Sequence, residues 1–260
     1  MKINNSETFI YGLSKGIDTT RPTVVFIHGA ANDHSVWNSQ CRYFGAHGWN
    51  AFAVDLPGHG KSEGKPLDSI DALANWIESC LTALGVDNVA LVGHSMGSLI
   101  ALAVASRNQE KIKKLVMIGT AIPMPVSETL LSLSRDNPEA AYKLINQYSL
   151  SDRAKLGSND IPGMSICDVS IKLMNRSKPG VLYADFTACN QYKDGIEAAR
   201  KVACPVLLIL GSEDKMTPAK RASGLVDEFK TVKTEKMPQS GHSLMLEQPN
   251  RILDCLSAFL

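Results

Sequence analysis

Short apolar runs recur along this chain: Thr23–Ile27 (TVVFI), Asn50–Val54 (NAFAV), Val89–Val92 (VALV), Lys113–Ile118 (KKLVMI) and Pro205–Leu210 (PVLLIL). None alternates apolar with polar positions, as a strand with one wet face would. Uninterrupted β-branched runs of this length suit strands buried on both faces, which is the situation inside a parallel sheet. Segments with helical spacing separate them, at roughly thirty residues per strand–helix unit, so a parallel sheet with right-handed crossovers is expected.

The intervening segments carry their own punctuation. After Ser69, a plausible N-cap, Ile70, Leu73, Ile77, Leu81 and Leu84 fall three or four apart and Gly85 follows, which reads as one amphipathic helix. Helical spacing also covers about Val36–Ala46, Gly97–Ser106, Pro218–Phe229 and Gln248–Leu260, with strands expected at Thr8–Leu13 and Val232–Met237. From Ala121 to about Lys201 the strand pattern stops and only helical material remains. The expected organisation is therefore an α/β core over 1–120 and 202–260, with a helical cap over 121–201. The cap should lie across the carboxyl edge of the sheet, where open parallel sheets bind ligands.

One strand of the series runs straight into Gly93-His94-Ser95-Met96-Gly97 and then a helix. A serine on such a strand–turn–helix elbow is lifted clear of the backbone, and the N–H groups that open the helix can face a developing oxyanion. Serine needs a base. Of six histidines, His94 is adjacent but points away from its neighbour on a sharp turn. His242, in the loop after the strand Val232–Met237, meets the serine at the same sheet edge and is preferred. Gly211-Ser212-Glu213-Asp214 follows another strand and supplies the carboxylate, Asp214 by preference over Glu213, to hold the imidazole in the working tautomer. Oxyanion donors are expected at the N–H of Met96 and at that of Ala30, with Ala31 as the alternative for the second.

Bulk properties remove other function classes. Lys plus Arg number 27 and Asp plus Glu 26, a net charge of +1 with both signs scattered, so no basic footprint for nucleic acid or anionic membrane is present. No apolar stretch reaches the ~18 residues of a membrane span, and the first residues lack a signal-peptide core. The six cysteines are dispersed without a C-x-x-C pair, which fits a reduced, cytoplasmic protein. No H-x-x-H pattern is present either, and no metal or cofactor is expected.

Together, His28-Gly29, DLPGHGKS at Asp55–Ser62, GHSMG at Gly93–Gly97, LGSEDKMTP at Leu210–Pro218 and SGH at Ser240–His242 resemble the α/β-hydrolase superfamily from about Thr23 to the C-terminus, the cap excepted. The resemblance implies a mostly parallel sheet of about eight strands flanked by helices, with Ser95, Asp214 and His242 as catalytic triad. It also implies that DLPGHGKS is a structural loop, so Asp55, His59 and Lys61 are poor catalytic candidates.

The expected activity is hydrolysis of a small-molecule carboxylic ester through an acyl-enzyme. Ser95 excludes an aspartate nucleophile, and Ser243 stands where similar hydroxynitrile lyases carry a lysine. Carbon–carbon bond hydrolysis, cofactor-free haloperoxidase chemistry and a non-catalytic ligand-binding role are the alternatives. The cap's apolar residues, Met124, Leu130, Leu144, Ile145, Leu173 and Met174 among them, either pack the cap or line an acyl pocket.

Overall fold

The computed structural model describes residues 1–158 and 163–260. Its strands are β1 (Lys2–Ile3), β2 (Ser6–Glu7), β3 (Ile10–Tyr11), β4 (Thr23–Ile27), β5 (Asn50–Val54), β6 (Val89–His94), β7 (Ile112–Ile118), β8 (Val206–Gly211) and β9 (Val232–Met237). Seven of them form one sheet in the order β3-β5-β4-β6-β7-β8-β9, parallel throughout except for the edge strand β3. Among the described residues the sheet has seven strands, where about eight are expected. The first residues instead fold back as the separate ribbon β1–β2, turned by Asn4 and Asn5 at φ 48° and 66°. Two successive positive φ values suit a tight hairpin turn, and asparagine tolerates them best after glycine.

Every residue of β4, β5 and β6 is buried, which accounts for the unbroken apolar runs. Alternate residues serve opposite faces. Val25, Ile27, Phe52, Val54, Leu91 and Leu208 pack on one side with α2 (Ile70–Leu84) and α3 (Met96–Arg107). Val24, Phe26, Ala53, Val92, Val116 and Leu207 pack on the other with α1 (Asn38–Ala46) and α12 (Pro249–Phe259). Burial of each large apolar side chain contributes about 1.5–3 kcal/mol, so the two layers hold the sheet from both sides. Helix α2 begins with the Ser69 hydroxyl accepting from Ala72 N at 3.2 Å and ends on Gly85 at φ 63°, a left-handed C-cap. Helix α3 is buried from Met96 through Ser106 and therefore shows no polar stripe.

Between β7 and β8 lie α4 (Glu128–Asp136), α5 (Pro138–Ser149), α6 (Asp152–Lys155), α7 (Ile166–Met174), α8 (Val181–Gln191) and α9 (Gly195–Lys201), with no strand among the described residues. Residues 159–162 of this stretch lie outside the described residues. Leu130, Ala141, Tyr142, Leu182 and Phe186 form a cluster that also takes in Ala31 from the loop after β4. The later part is continuous with the main core, because Ala188 and Cys189 of α8 and Ala198 and Ala199 of α9 sit in the cluster that includes α2 and α3. The remaining helices are α10 (Ala219–Val226) and α11 (Leu244–Glu247). The four-residue helices α6 and α11 and the seven-residue α9 are too short for apolar periodicity to show in sequence. No helix among the described residues is long and apolar enough to cross a membrane.

Register places the functional loops together. Ile27 pairs with Gly93, His94 with Ile118, Ile118 with Ile209 and Gly211 with Met237, so the carboxyl ends of five strands are level. Chain order reverses at β4 and β6, the crevice position expected of a ligand site.

Candidate active site

Ser95 sits at φ 53° and ψ −122°, a left-handed conformation uncommon for a residue with a side chain. Its N–H is tied to Ile118 O at 2.9 Å, and its carbonyl accepts from Ser98 N at 2.8 Å and Ser98 Oγ at 2.6 Å. The flanking glycines are required by contact. A β-carbon at Gly93 would overlap the Gly97 carbonyl, and one at Gly97 would overlap the Ile27 carbonyl. Met96 opens helix α3, so its N–H has no partner within the helix.

Asp214 is buried and fully engaged. Oδ1 accepts from Met216 N and Thr217 N, each at 2.8 Å, while Oδ2 accepts from Thr217 Oγ1 and His242 Nδ1, each at 2.7 Å. Burial works against its charge, but the facing His242 and these donors outweigh that and bring its pKa down to about 2. Glu213, the alternative acid, points elsewhere: its Oε2 accepts from Asp152 N at 3.0 Å. Thr217 Oγ1 lies 3.1 Å from His242 Nδ1, so one threonine braces both acid and base. Sequence reasoning missed Thr217, although Asp-x-x-Thr in a turn is a recognisable self-bonding pattern.

Among the described residues the ring hydrogen bonds of His242 are at Nδ1, to Asp214 and Thr217, which leaves Nε2 for the cavity that His242 and Ser95 share. Among the described residues no hydrogen bond joins Ser95 Oγ to that ring. A ligand-free serine–histidine pair is commonly loose and tightens around substrate. His94 holds the backbone of the candidate base, its Nε2 donating to the His242 carbonyl at 2.9 Å. Burial, then the nearby His242, lowers the His94 pKa to about 3, so this ring is neutral.

Ala30 lines the same cavity as Ser95 and His242. The neighbouring alternative, Ala31, is occupied. Its N–H donates to Asp185 Oδ2 at 2.8 Å, and its carbonyl accepts from Ser177 Oγ at 3.0 Å. Asp185 is a wholly buried carboxylate on α8, and it also faces His59 Nε2 at 2.9 Å. His59 Nδ1 meets the Pro57 carbonyl at 3.0 Å. Both partners are acceptors, so both ring nitrogens carry protons. Burial opposes that charge, but Asp185 prevails and raises the His59 pKa.

Asp55–Ser62 is a scaffold, as the resemblance implied. Asp55 Oδ1 accepts from His34 N at 2.7 Å and His34 Nδ1 at 2.8 Å, while Oδ2 accepts from Lys61 N at 2.8 Å. His28 Nδ1 donates to Gly29 O at 2.9 Å and its Nε2 accepts from Leu56 N at 3.2 Å, a neutral arrangement whose pKa burial lowers to about 4. Asp33, His34 and Asp55 converge closely enough to hold a metal ion. Each already has protein partners, Arg176 facing Asp33 at 2.9 Å among them.

Two cavities meet at Ser95 and His242. The smaller, about 60 Å³, is walled by Val36, Ile145, Leu173 and Met174, and the larger, about 560 Å³, by Met124, Leu130, Leu144 and Phe186. The apolar residues between β7 and β8 thus pack and line the cavities at once.

Residues 22–146 match the family model of the alpha/beta hydrolase fold. The chain is 23% identical to the (E)-2-((N-methylformamido)methylene)succinate hydrolase of Acinetobacter baylyi, over 91% of this chain and 89% of that one. It is 25% identical to the pimeloyl-[acyl-carrier protein] methyl ester esterase of Nitrosomonas europaea, over 93% and 98%. Among solved structures it resembles Est816, described as an N-acyl homoserine lactone degrading enzyme, with a TM-score of 0.85 at 19% identity, covering 100% of this chain and 99% of that one.

Proposed function

We propose that this chain, which belongs to the α/β-hydrolase superfamily, is a serine hydrolase that cleaves carboxylic esters through an acyl-enzyme on Ser95. The observation that carries the reading is the His242 Nδ1–Asp214 Oδ2 contact of 2.7 Å at a cavity that Ser95 also lines.

In this reading His242 Nε2 takes the Ser95 proton as Oγ attacks the ester carbonyl. Asp214, ionised at any working pH, stabilises the imidazolium and fixes its tautomer. The tetrahedral oxyanion accepts from the N–H groups of Met96 and Ala30. His242 then protonates the leaving alkoxide, and the departing alcohol makes room for water. Water attacks the acyl-enzyme with His242 again as base, and Ser95 recovers its proton as the acid leaves. The ester-cleaving relative from Nitrosomonas europaea supports an ester substrate. One part of the substrate occupies the small cavity, which suits only a short group, and the other the large one. The residues between β7 and β8 act in this scheme as the cap, and the dispersed cysteines favour a cytoplasmic setting.

The test is labelling by a fluorophosphonate, with the adduct mapped by mass spectrometry. Modification confined to Ser95 and lost in Ser95→Ala is expected. An unlabelled Ser95 in a folded chain would overturn the reading in favour of a binding protein.

A further inference from the structure

The larger cavity is unbalanced in charge. Lys215 and Arg221 line it, and no aspartate or glutamate does. Lys215 directly follows Asp214, and Arg221 lies in the first turn of α10, so one short segment carries both cations together with the candidate triad acid. Neither side chain has an ion-pair or hydrogen-bond partner among the described residues. Elsewhere Arg107, Arg135, Arg176 and Arg200 all face carboxylates. Both cations are exposed, whereas Ser95, His242 and Thr217 at the inner end are shielded. The rest of the lining is uncharged and mostly apolar, with Met124, Leu130, Leu144 and Phe186 among it, and low-dielectric walls focus the field of like charges along a cleft. Two unpaired cations at the mouth of such a cleft attract a substrate with an anionic end. The Arg221 guanidinium is shaped to take a carboxylate through two parallel hydrogen bonds.

We propose that Lys215 and Arg221 form an anion subsite, and that the preferred substrates are esters bearing a free carboxylate on the part that occupies the larger cavity. The catalytic consequence rests on Ser95 as nucleophile; the binding of the anion does not.

The experiment compares kcat/KM for matched pairs that differ in charge. On the acyl side the pairs are mono-4-nitrophenyl glutarate against 4-nitrophenyl pentanoate, and mono-4-nitrophenyl adipate against 4-nitrophenyl hexanoate. On the alcohol side the pair is 4-acetoxybenzoate against its methyl ester. In at least one pair the anionic ester is expected to be favoured about ten-fold at low salt, with the preference shrinking as salt is added. The preference should fall toward unity in the double variant Lys215→Gln/Arg221→Gln and invert in the double variant Lys215→Glu/Arg221→Glu. A ratio at or below one in every pair, or a preference that survives the double variant, overturns the subsite. If the chain hydrolyses no ester and Ser95 resists labelling, the nucleophile assignment fails instead. Calorimetric titration with glutarate then decides the subsite, which stands if binding is seen and weakens in the double variant and falls if no binding is seen.

Discussion

The Asp185 carboxylate, on helix α8 between β7 and β8, accepts a hydrogen bond from the backbone N–H of Ala31 at 2.8 Å. Ala31 is held at φ 53°, next to the Ala30 N–H that is the candidate oxyanion donor. Helix α8 and the loop carrying Ala30 are thus joined by a buried bond, with the His59 ring on the same carboxylate oxygen.

Asp185→Asn should therefore act on catalysis from outside the substrate's reach. The amide cannot balance the His59 charge, and a turned Ala30 peptide points its N–H away from the oxyanion. Losing an oxyanion donor costs on the order of 10²–10³ in kcat, and a partial loss of aim should cost about 10–100-fold. KM should move much less, and fluorophosphonate labelling should slow in parallel with kcat. A purely structural role predicts a lowered melting temperature with kcat intact. Breaking the buried pair also removes up to about 3–5 kcal/mol of stability, so both quantities need measuring.

Replacing either end of the Ser95–His242 pair by alanine should lower kcat on 4-nitrophenyl acetate by about 10⁶, the scale for removing a unit that works together. Turnover near wild type in Ser95→Ala or His242→Ala would remove the nucleophile–base assignment.

The two neighbouring acids separate cleanly. Asp214→Asn presents an N–H where His242 Nδ1 needs an acceptor, which favours the wrong tautomer, and kcat should fall by about 10⁴. Glu213→Gln leaves the imidazole contacts in place and should change kcat less than about three-fold, within the scale of surface substitutions. The reverse ranking, read from the same ester assay, would transfer the role to Glu213.

Stability should fall as the solution is made mildly acidic. His28 and His94 are buried and neutral, with pKa values lowered to about 4 and about 3. Below pH 6.5 the unfolded chain takes up protons at these positions that the folded chain refuses, so stability drops with falling pH. The raised pKa of His59 adds stability below its unfolded value, and that contribution disappears only on the alkaline side of 6.5. The depressed pKa of Asp214 matters only below about pH 4. Between pH 7 and pH 5 the two neutral histidines should therefore cost about 2 kcal/mol each. Urea midpoints at the two pH values check this; a midpoint that does not shift contradicts the neutral assignments.

The chain's local chemistry made much of this legible. Strands β4, β5 and β9 match the runs Thr23–Ile27, Asn50–Val54 and Val232–Met237 residue for residue. Ser69 and Gly85 mark the two ends of α2. Strands buried on both faces, as β4 and β5 are, and capped helices write their limits into adjacent residues, and the GHSMG turn writes its own through the two glycines that backbone contact demands. The ordered loops bearing Ser95, Asp214 and His242 followed from strands that end on one face.

Tertiary structure decided what depends on residues far apart in sequence. Asp185 lies 154 positions from Ala31 and 126 from His59, and nothing near it in sequence signals either partner. Packing alone turned Asp214 toward His242 and Glu213 toward Asp152, occupied the Ala31 N–H, and set Lys215 and Arg221 without partners beside an apolar cavity. Turns and caps are settled by neighbours a few bonds away. The pairing of a buried charge is settled by whatever the completed fold places against it, because desolvation penalises any charge that finds no partner there.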